Sequence, residues 1–202
     1  MVKKTMSENV LKRFSLYFRH LIVTVVLMSM LACAGGGDKF RDPNMDFGSI
    51  QTVAVLPFAN LSRDQMAGDR VRDVFVIALL ATGGVYVIPA GEVAKGVGLA
   101  GMVNPTAPSS AEVIKFAPLI KANAVITGVL REYGEVRSGN STANVISLSL
   151  QMMDAQTGQV IWSVSTTKGG IGIKDRLLGG GGEPLNNITE KAIGDLINQL
   201  YE

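Results

Sequence analysis

The spacing of apolar residues changes several times along the chain, and each spacing predicts a different element. The nearly continuous apolar run Gln51–Phe58 is typical of a strand buried on both faces. The next segment has helical spacing, and Ser62 and Gln65 precede it three residues apart, as in a capping box. Val85–Ile88 then predicts a second short strand, which makes a β-α-β unit with parallel strands. One face of the helix between them consists of Ala67, Val71, Val74, Phe75, Ala78 and Leu79.

Three glycines follow this unit in a pattern known from dinucleotide-binding proteins. Gly96, Gly98 and Gly101 match G-x-G-x-x-G. A nucleotide site needs these glycines at the turn from a strand into a helix, whereas here Pro89 ends the strand and Pro105 soon follows the motif. We therefore predict a short glycine-containing helix and a loop, with no cofactor site.

A second capping-box pattern marks the next helix. Ser109 and Glu112 stand in front of a helix that reaches Ile120. Pro118 lies inside this helix and should kink or split it. We expect Asn123 to take the left-handed conformation that ends such a helix.

The C-terminal half of the chain contains an alternating pattern. Apolar and polar residues alternate from Asn144 to Met153, which predicts a strand with one buried face. The turn Asp154–Gln159 leads into the apolar run Val160–Val164, and together these segments predict an antiparallel hairpin. Trp162 can pack in the core or contact a membrane or partner, and we favour the core because apolar neighbours share its face.

A strand over residues 124–130 and a final helix over residues 185–200 complete the predicted elements. The fold class is α/β, a single compact domain with a mixed sheet of about five strands. It starts with β-α-β, has an antiparallel C-terminal hairpin, and its helices pack on the sheet.

The segment Lys168–Pro184 fits none of these patterns. Its seven glycines predict a mobile loop. Four of its residues are too apolar for a plain linker, so we predict an interface with a neighbouring subunit or with the membrane. These candidate interface residues are Ile171, Ile173, Leu177 and Leu178.

The N-terminus has the layout of an export signal. The apolar run Leu21–Cys33 follows a basic segment and is too short to cross a bilayer as a helix, which needs about 20 residues. Its end, Met30-Leu31-Ala32-Cys33, resembles the lipobox of bacterial lipoproteins, although that family usually has Leu where Met30 stands. The resemblance implies cleavage before Cys33, a diacylglycerol on its thiol and acylation of the new N-terminus. An uncleaved membrane anchor is the alternative.

These features predict three regions. Residues 1–32 are a cleaved lipoprotein signal peptide, residues 33–50 a lipidated flexible tether, and residues 51–202 the α/β domain. The sixteen residues Ala34–Ser49 show no periodicity and would span at most roughly 50 Å. Ala34 stands where an aspartate would retain a Gram-negative lipoprotein at the inner membrane, so the resemblance implies the outer membrane, with the domain facing the periplasm.

Removal of the signal changes the composition. The chain has 19 basic and 17 acidic residues, and five of the bases and one of the acids precede Cys33. The remaining net charge of −2 gives no argument for nucleic acid. Because the only histidine, His20, and the only cysteine, Cys33, are both used up by processing, the composition excludes Ser-His and Cys-His nucleophiles and the usual zinc ligands.

An enzyme acting on glycans would need a pair of carboxylates. The compact acidic clusters are Asp64, Asp69 and Asp73, and Glu132 and Glu135. Asp69 and Asp73 alternate with arginines, which is more typical of a solvated helix surface. We predict that the protein is not an enzyme.

Three stretches carry a resemblance to a known group. VAVLPFANLS (53–62), NAVITGVLREYGEV (123–136) and SLQMMDAQTGQVIWS (149–163) resemble the periplasmic domain shared by curli-secretion lipoproteins (CsgG), the Pel exopolysaccharide-export lipoprotein (PelC) and related envelope lipoproteins. The resemblance covers roughly residues 53–200. It implies a compact α/β domain on a lipid anchor, often assembled into a ring beneath or within the outer membrane.

The chain departs from the curli members, which add two long transmembrane hairpins. Only Gly134–Ala143 connects two of its predicted strands, and Lys168–Pro184 lacks two alternating runs. The resemblance therefore implies a non-catalytic, oligomeric accessory or assembly component for export, with a channel protein and an exported polysaccharide as partners. The alternatives are a regulator of a peptidoglycan synthase, which the short tether disfavours, and a curli-type secretion accessory.

Overall fold

The computed structural model describes residues 39–138, 141–171 and 182–202, which belong to the unit Gly37–Glu202. The strands are β1 (Lys39–Arg41), β2 (Thr52–Val55), β3 (Ala59–Asn60), β4 (Tyr86–Val87), β5 (Ala124–Ser138), β6 (Ser141–Asp154) and β7 (Val160–Gly169). The helices are α1 (Ala67–Ala81), α2 (Ala90–Ala100), α3 (Ser110–Ile120) and α4 (Leu185–Tyr201), and a 3-10 turn spans Phe47–Ser49.

The strands form one mixed sheet in the order β1-β7-β6-β5-β2-β4, with β3 also beside β5. Strands β4, β2 and β5 run parallel, and β5, β6, β7 and β1 run antiparallel in turn. This arrangement confirms the α/β class, the β-α-β start and the antiparallel C-terminal hairpin. The sheet has seven strands where the sequence predicted about five, because β1 and β3 are too short to show a periodic pattern.

Helices cover both faces of the sheet and define two hydrophobic cores. Helices α1 and α4 supply the larger core, which includes Phe75, Leu196 and the fully buried Trp162. Helices α2 and α3 supply the smaller core on the opposite face, which includes Leu56 and Phe116. Burial of each large side chain contributes about 1.5–3 kcal/mol. The burial of Trp162 confirms the core interpretation of this residue.

The β5–β6 hairpin is much longer than the sequence indicated. We interpreted the segment Gly134–Ala143 as a connection, but residues 134–138 continue β5 and residues 141–143 continue β6, and Ser138 pairs with Ser141. A register shift between Leu130 and Glu132 interrupts the alternation of β5, and charged residues beyond it hid the strand from pattern analysis. The end of the sheet at which β5 finishes and β6 begins is called the hairpin end below.

The predicted helix ends were partly right. The capping box at Ser109 is confirmed, since its Oγ accepts from the backbone N–H of Glu112 and the Glu112 carboxylate accepts from the Ser109 backbone N–H. This backbone bond, with a second from the Ser109 hydroxyl, lowers the pKa of Glu112. The predicted capping box at Ser62 and Gln65 is wrong. Ser62 donates to the Asn60 side chain, and Asp64 accepts from the N–H of Met66 just before α1.

Helix α3 ends differently from the prediction. Pro118 lies in its last turn and does not split it, because the helix has only two residues left after the proline. The left-handed cap is Lys121, with φ 59°, and the expected Asn123 has another role. The Asn123 side chain accepts from the backbone N–H groups of Gln51 and Thr52, which joins the start of β2 to the start of β5.

Part of the predicted tether belongs to the fold. Strand β1 pairs with β7, and the Arg41 guanidinium lies 3.7 Å from the ring centroid of Phe47. Arg41 also donates to the carbonyl oxygen of Leu200 at 2.7 Å, and Lys39 pairs with Glu202 at 3.1 Å. These contacts fix the chain from residue 39 onward to the sheet edge and to the end of α4.

The glycines of the G-x-G-x-x-G pattern lie within α2 and at its left-handed end, Gly101. A nucleotide site would need them at the turn from a strand into a helix. A Cβ on Gly96 would lie 2.5 Å from Cγ2 of Ile120 and 2.9 Å from Cε2 of Phe116, whereas a Cβ on Gly98 would meet open space. Gly96 therefore allows α2 and α3 to approach closely.

We expect Gly96→Ala to lower the free energy of unfolding by about 1–3 kcal/mol, because α2 and α3 must separate. Gly98→Ala should raise it by up to about 1 kcal/mol, since alanine is the better helix former at an open position. Urea unfolding of the soluble domain measures both. Equal effects of the two substitutions would contradict the packing role of Gly96.

Arg72 supports the turn at the end of β2. Its Nη2 donates to the carbonyl oxygen of Val55 at 2.6 Å and its Nε to that of Leu56 at 3.1 Å. Burial lowers the pKa of Arg72, an effect opposed by the nearby Asp73 and Asp69 carboxylates.

We expect Arg72→Ala to cost about 2–3 kcal/mol of stability, because two carbonyl groups lose a charged donor. Arg70→Ala is the matched control, since Arg70 makes an exposed ion pair with Asp64 and should cost below about 1 kcal/mol. Thermal and urea unfolding compare the two variants. A larger loss for Arg70→Ala would show that the turn does not depend on Arg72.

Candidate functional site at the hairpin end

The structure describes one of the five residues singled out from the sequence as functional. Ile171 lies two residues after the end of β7 and is half-buried. Cys33, Ile173, Leu177 and Leu178 lie outside the described residues, so their roles stay predictions. Ile173, Leu177 and Leu178 belong to the segment Lys168–Pro184, called the candidate interface segment below. Its two ends are described.

Both ends of this segment are held by Asn144 of β6. The N–H of Gly170 donates to the Asn144 carbonyl oxygen at 2.8 Å, and the Asn144 side chain donates to the carbonyl oxygen of Glu183 at 3.0 Å. Gly169 has φ 81° and Gly182 has φ 67°, which L side chains rarely adopt. A Cβ on Gly169 would also overlap the Asn144 carbonyl oxygen. The two described ends of the candidate interface segment, at Gly170 and Glu183, therefore lie together at the hairpin end.

The β5–β6 hairpin extends past the rest of the sheet at this end. The last residue of β7, Gly169, pairs with Val145, so Ser141–Asn144 continues beyond β7. On the other side, β3 stops at Asn60, which pairs with Leu130. Within the described part of the chain, no strand pairs with the outer edge of β5 beyond that point.

An open cleft of about 970 Å³ lies between this edge of β5 and the loop after β3. Three arginines line it, Arg63, Arg131 and Arg137, together with Glu132 and Glu135. Among the residues that the structure describes, none of these three arginines takes part in an ion pair. The other lining residues are Leu61, Ser62, Asp64, Tyr133, Gly134, Val136 and Val145.

The chemistry available here is that of a binding surface. Arginine offers forked donors that suit carboxylate and phosphate groups. Residues 39–138, 141–171 and 182–202 contain no cluster of three or more His, Cys, Asp or Glu side chains that could hold a metal ion. In the same ranges, no helix is long and apolar enough to cross a membrane.

The sequence analysis considered Glu132 and Glu135 as a carboxylate pair and missed the three arginines. Arg131 occupies the register shift of β5, which no sequence pattern marks. Arg63 and Arg137 are 74 positions apart in the chain, and only the pairing of β3 with β5 places both beside one cleft.

Comparison with solved structures shows similar folds among bacterial proteins. The PelC dodecamer of Paraburkholderia phytofirmans is 17% identical, and the match covers 82% of this chain and 98% of that one with a TM-score of 0.55. The lipoprotein GNA1162 of Neisseria meningitidis is 20% identical, with 75% and 98% covered and a TM-score of 0.54. At this identity the likenesses establish the fold. A search of curated protein sequences gave no match.

A family model of GNA1162-like lipoproteins matches residues 47–175. These comparisons indicate no enzyme family. The match confirms that the sequence resemblance to envelope lipoproteins was right, while the relation to curli-secretion lipoproteins stays a prediction. Because the matched region is more than half of the 202 residues, the chain belongs to the family of GNA1162-like lipoproteins.

Proposed function

We propose that this protein is an outer-membrane lipoprotein, anchored by lipid on Cys33 and facing the periplasm. In this proposal it forms a homo-oligomeric ring and serves as a non-catalytic accessory or assembly component of an envelope export system for exopolysaccharide. Its partners are an outer-membrane channel protein and the exported polymer. A cofactor has no part in this function.

The likeness to the PelC dodecamer carries the proposal. It extends over 82% of this chain and 98% of a bacterial protein that assembles as a dodecamer. A closed ring needs two different contact surfaces on each subunit. In this proposal the hairpin end is one of the two surfaces.

The pairing of β1 with β7 shortens the tether. A short tether supports a role in export over regulation of a peptidoglycan synthase. A regulator must reach its enzyme through the cell-wall mesh. Since the chain is fixed to the sheet from Lys39 onward, only residues 34–38 separate Cys33 from the domain. They span about 20 Å at most, where the sequence analysis allowed roughly 50 Å. The domain is thereby kept close to the bilayer. A curli-type secretion accessory is compatible with the same short reach.

The anchor predicts a simple outcome for Cys33→Ser. Two or more acyl chains hold a protein stably on a bilayer, because each buried methylene contributes about 0.8 kcal/mol. We expect the wild-type protein in the outer-membrane fraction with a mass that includes diacylglycerol, and the variant in the soluble periplasmic fraction. Membrane retention of Cys33→Ser, or a wild-type mass without lipid, would contradict the anchor.

Oligomerisation can be measured on the soluble form, residues 34–202. We expect sedimentation or light scattering to show a species much larger than one chain, with a mass that rises with concentration or on membranes. A strict monomer at high concentration and on vesicles would count against the ring.

The candidate interface segment can be tested against another apolar patch. Leu177→Ser combined with Leu178→Ser should reduce assembly without lowering the melting temperature. The matched control is Ile77→Ser with Leu80→Ser on α1, where the two side chains are 66% and 50% exposed. If only the α1 pair reduced assembly, the segment around Leu177 would be excluded as the subunit interface.

A further inference from the structure

We infer that the arginine-lined cleft binds the exported polymer, and that this polymer is an acidic polysaccharide whose sugars carry carboxylate groups. The inference rests on the proposed function and adds to it the binding site and the chemical class of the polymer.

The three guanidinium groups of the cleft have no acceptor in the described part of the chain. Arg63, Arg131 and Arg137 are exposed, and none of their side chains forms an ion pair or a hydrogen bond with a described residue. A guanidinium binds a carboxylate through two parallel hydrogen bonds. The cleft therefore holds three sites of this kind for a ligand.

The wall that carries Arg63 is held in place by hydrogen bonds within the loop after β3. The Asn60 side chain donates to the carbonyl oxygen of Asp64 at 2.7 Å and accepts from the hydroxyl of Ser62, also at 2.7 Å. The Asp64 carboxylate forms its ion pair with Arg70, so it does not neutralise Arg63. The loop is preorganised, and a ligand need not order it on binding.

The opposite wall of the cleft is the outer edge of β5. Arg131 and Arg137 are six residues apart on this strand, at most about 20 Å, a distance that a chain of sugars can span and a single sugar cannot. Tyr133 lies between them, is half-buried and packs against the larger core, which fixes this part of the strand. No described strand pairs with this edge, so its outward backbone groups can bond to sugar hydroxyls.

Two glutamates distinguish this cleft from a general site for polyanions. Glu132 and Glu135 line it and are exposed, and neither forms an ion pair with a described residue. A carboxylate repels phosphate but accepts hydrogen bonds from hydroxyl groups. A DNA duplex carries a charge about every 1.7 Å and would meet this repulsion. An acidic sugar presents its hydroxyls to the glutamates and its carboxylate to the arginines.

The edge of β5 is poorly suited to an added protein strand. A register shift occurs at Arg131, and four of the seven side chains from Arg131 to Arg137 are charged. Bulges and charged side chains are the features that keep sheet edges from pairing with another chain. A glycan does not depend on a regular ladder of backbone hydrogen bonds, so the same features do not exclude it.

The test measures the binding of fluorescent oligogalacturonate to the full mature protein in neutral detergent micelles. We expect binding that weakens as salt is added, and no binding of the fully methyl-esterified oligomer or of a dextran oligomer of equal length. Arg131→Gln combined with Arg137→Gln should weaken binding at least about tenfold, because charged hydrogen bonds are lost. Lys95→Gln with Lys121→Gln, at exposed positions in α2 and at the end of α3, removes the same charge elsewhere and should leave the affinity unchanged.

Equal binding of the neutral glycans, or an equal loss in the lysine variant, would overturn the site. Tighter binding of poly-L-glutamate would identify an acidic peptide as the ligand, and tighter binding of a short DNA duplex would identify a general polyanion surface. Either result would overturn the glycan. Outer-membrane fractionation and oligomer mass measure the proposed function separately. A protein that passes both but does not bind oligogalacturonate keeps the proposed function and loses the inference.

Discussion

The pairing between β5 and β6 is the interaction on which the rest of the structure depends. Ala124 pairs with Asp154 at one end and Ser138 with Ser141 at the other, so the two strands are joined over nearly their whole length. At its start, β5 also pairs with the parallel strand β2, and β6 pairs with β7. Because every other strand is placed directly or indirectly on this pair, its register decides which side chains face each core.

The two cores follow from that register. Alternate residues of β6, from Ile146 to Met152, face α1 and α4, and Met153 faces α2 and α3 after a register shift beside Trp162. The smaller core lies under the first residues of β5, and the half of the hairpin beyond Leu130 extends outside it. The distal part of the hairpin is nevertheless tied to the larger core, because Ile146 is fully buried in it.

Long periodic segments allowed the fold class and most elements to be predicted. Helix α4, the β-α-β start, the capping box at Ser109 and the buried Trp162 all depend on local spacing that one window of sequence contains. Contacts between distant segments were not predictable in this way. Strand β1 depends on its pairing with β7 and on the hydrogen bond from Arg41 to the end of α4. A strand of three residues is too short to show a periodic pattern of apolar positions.

The candidate site was predicted less completely than the fold. The sequence marked the apolar segment around Leu177 but gave no indication that Asn144 holds both of its ends or that Arg63 and Arg137 share a cleft. Lys121 in the left-handed conformation illustrates the same limit, because it departs from the general preference for asparagine or glycine at such a helix end.

The attachment of both ends of one segment to Asn144 has a consequence for how this family can diversify. Doubling the length of a loop whose ends are already closed costs only about 0.6 kcal/mol. Residues could be added or removed between Gly170 and Glu183 while the hydrogen bonds at Asn144 keep the sheet and α4 in place. An insertion at this position would therefore leave the scaffold that surrounds it unchanged.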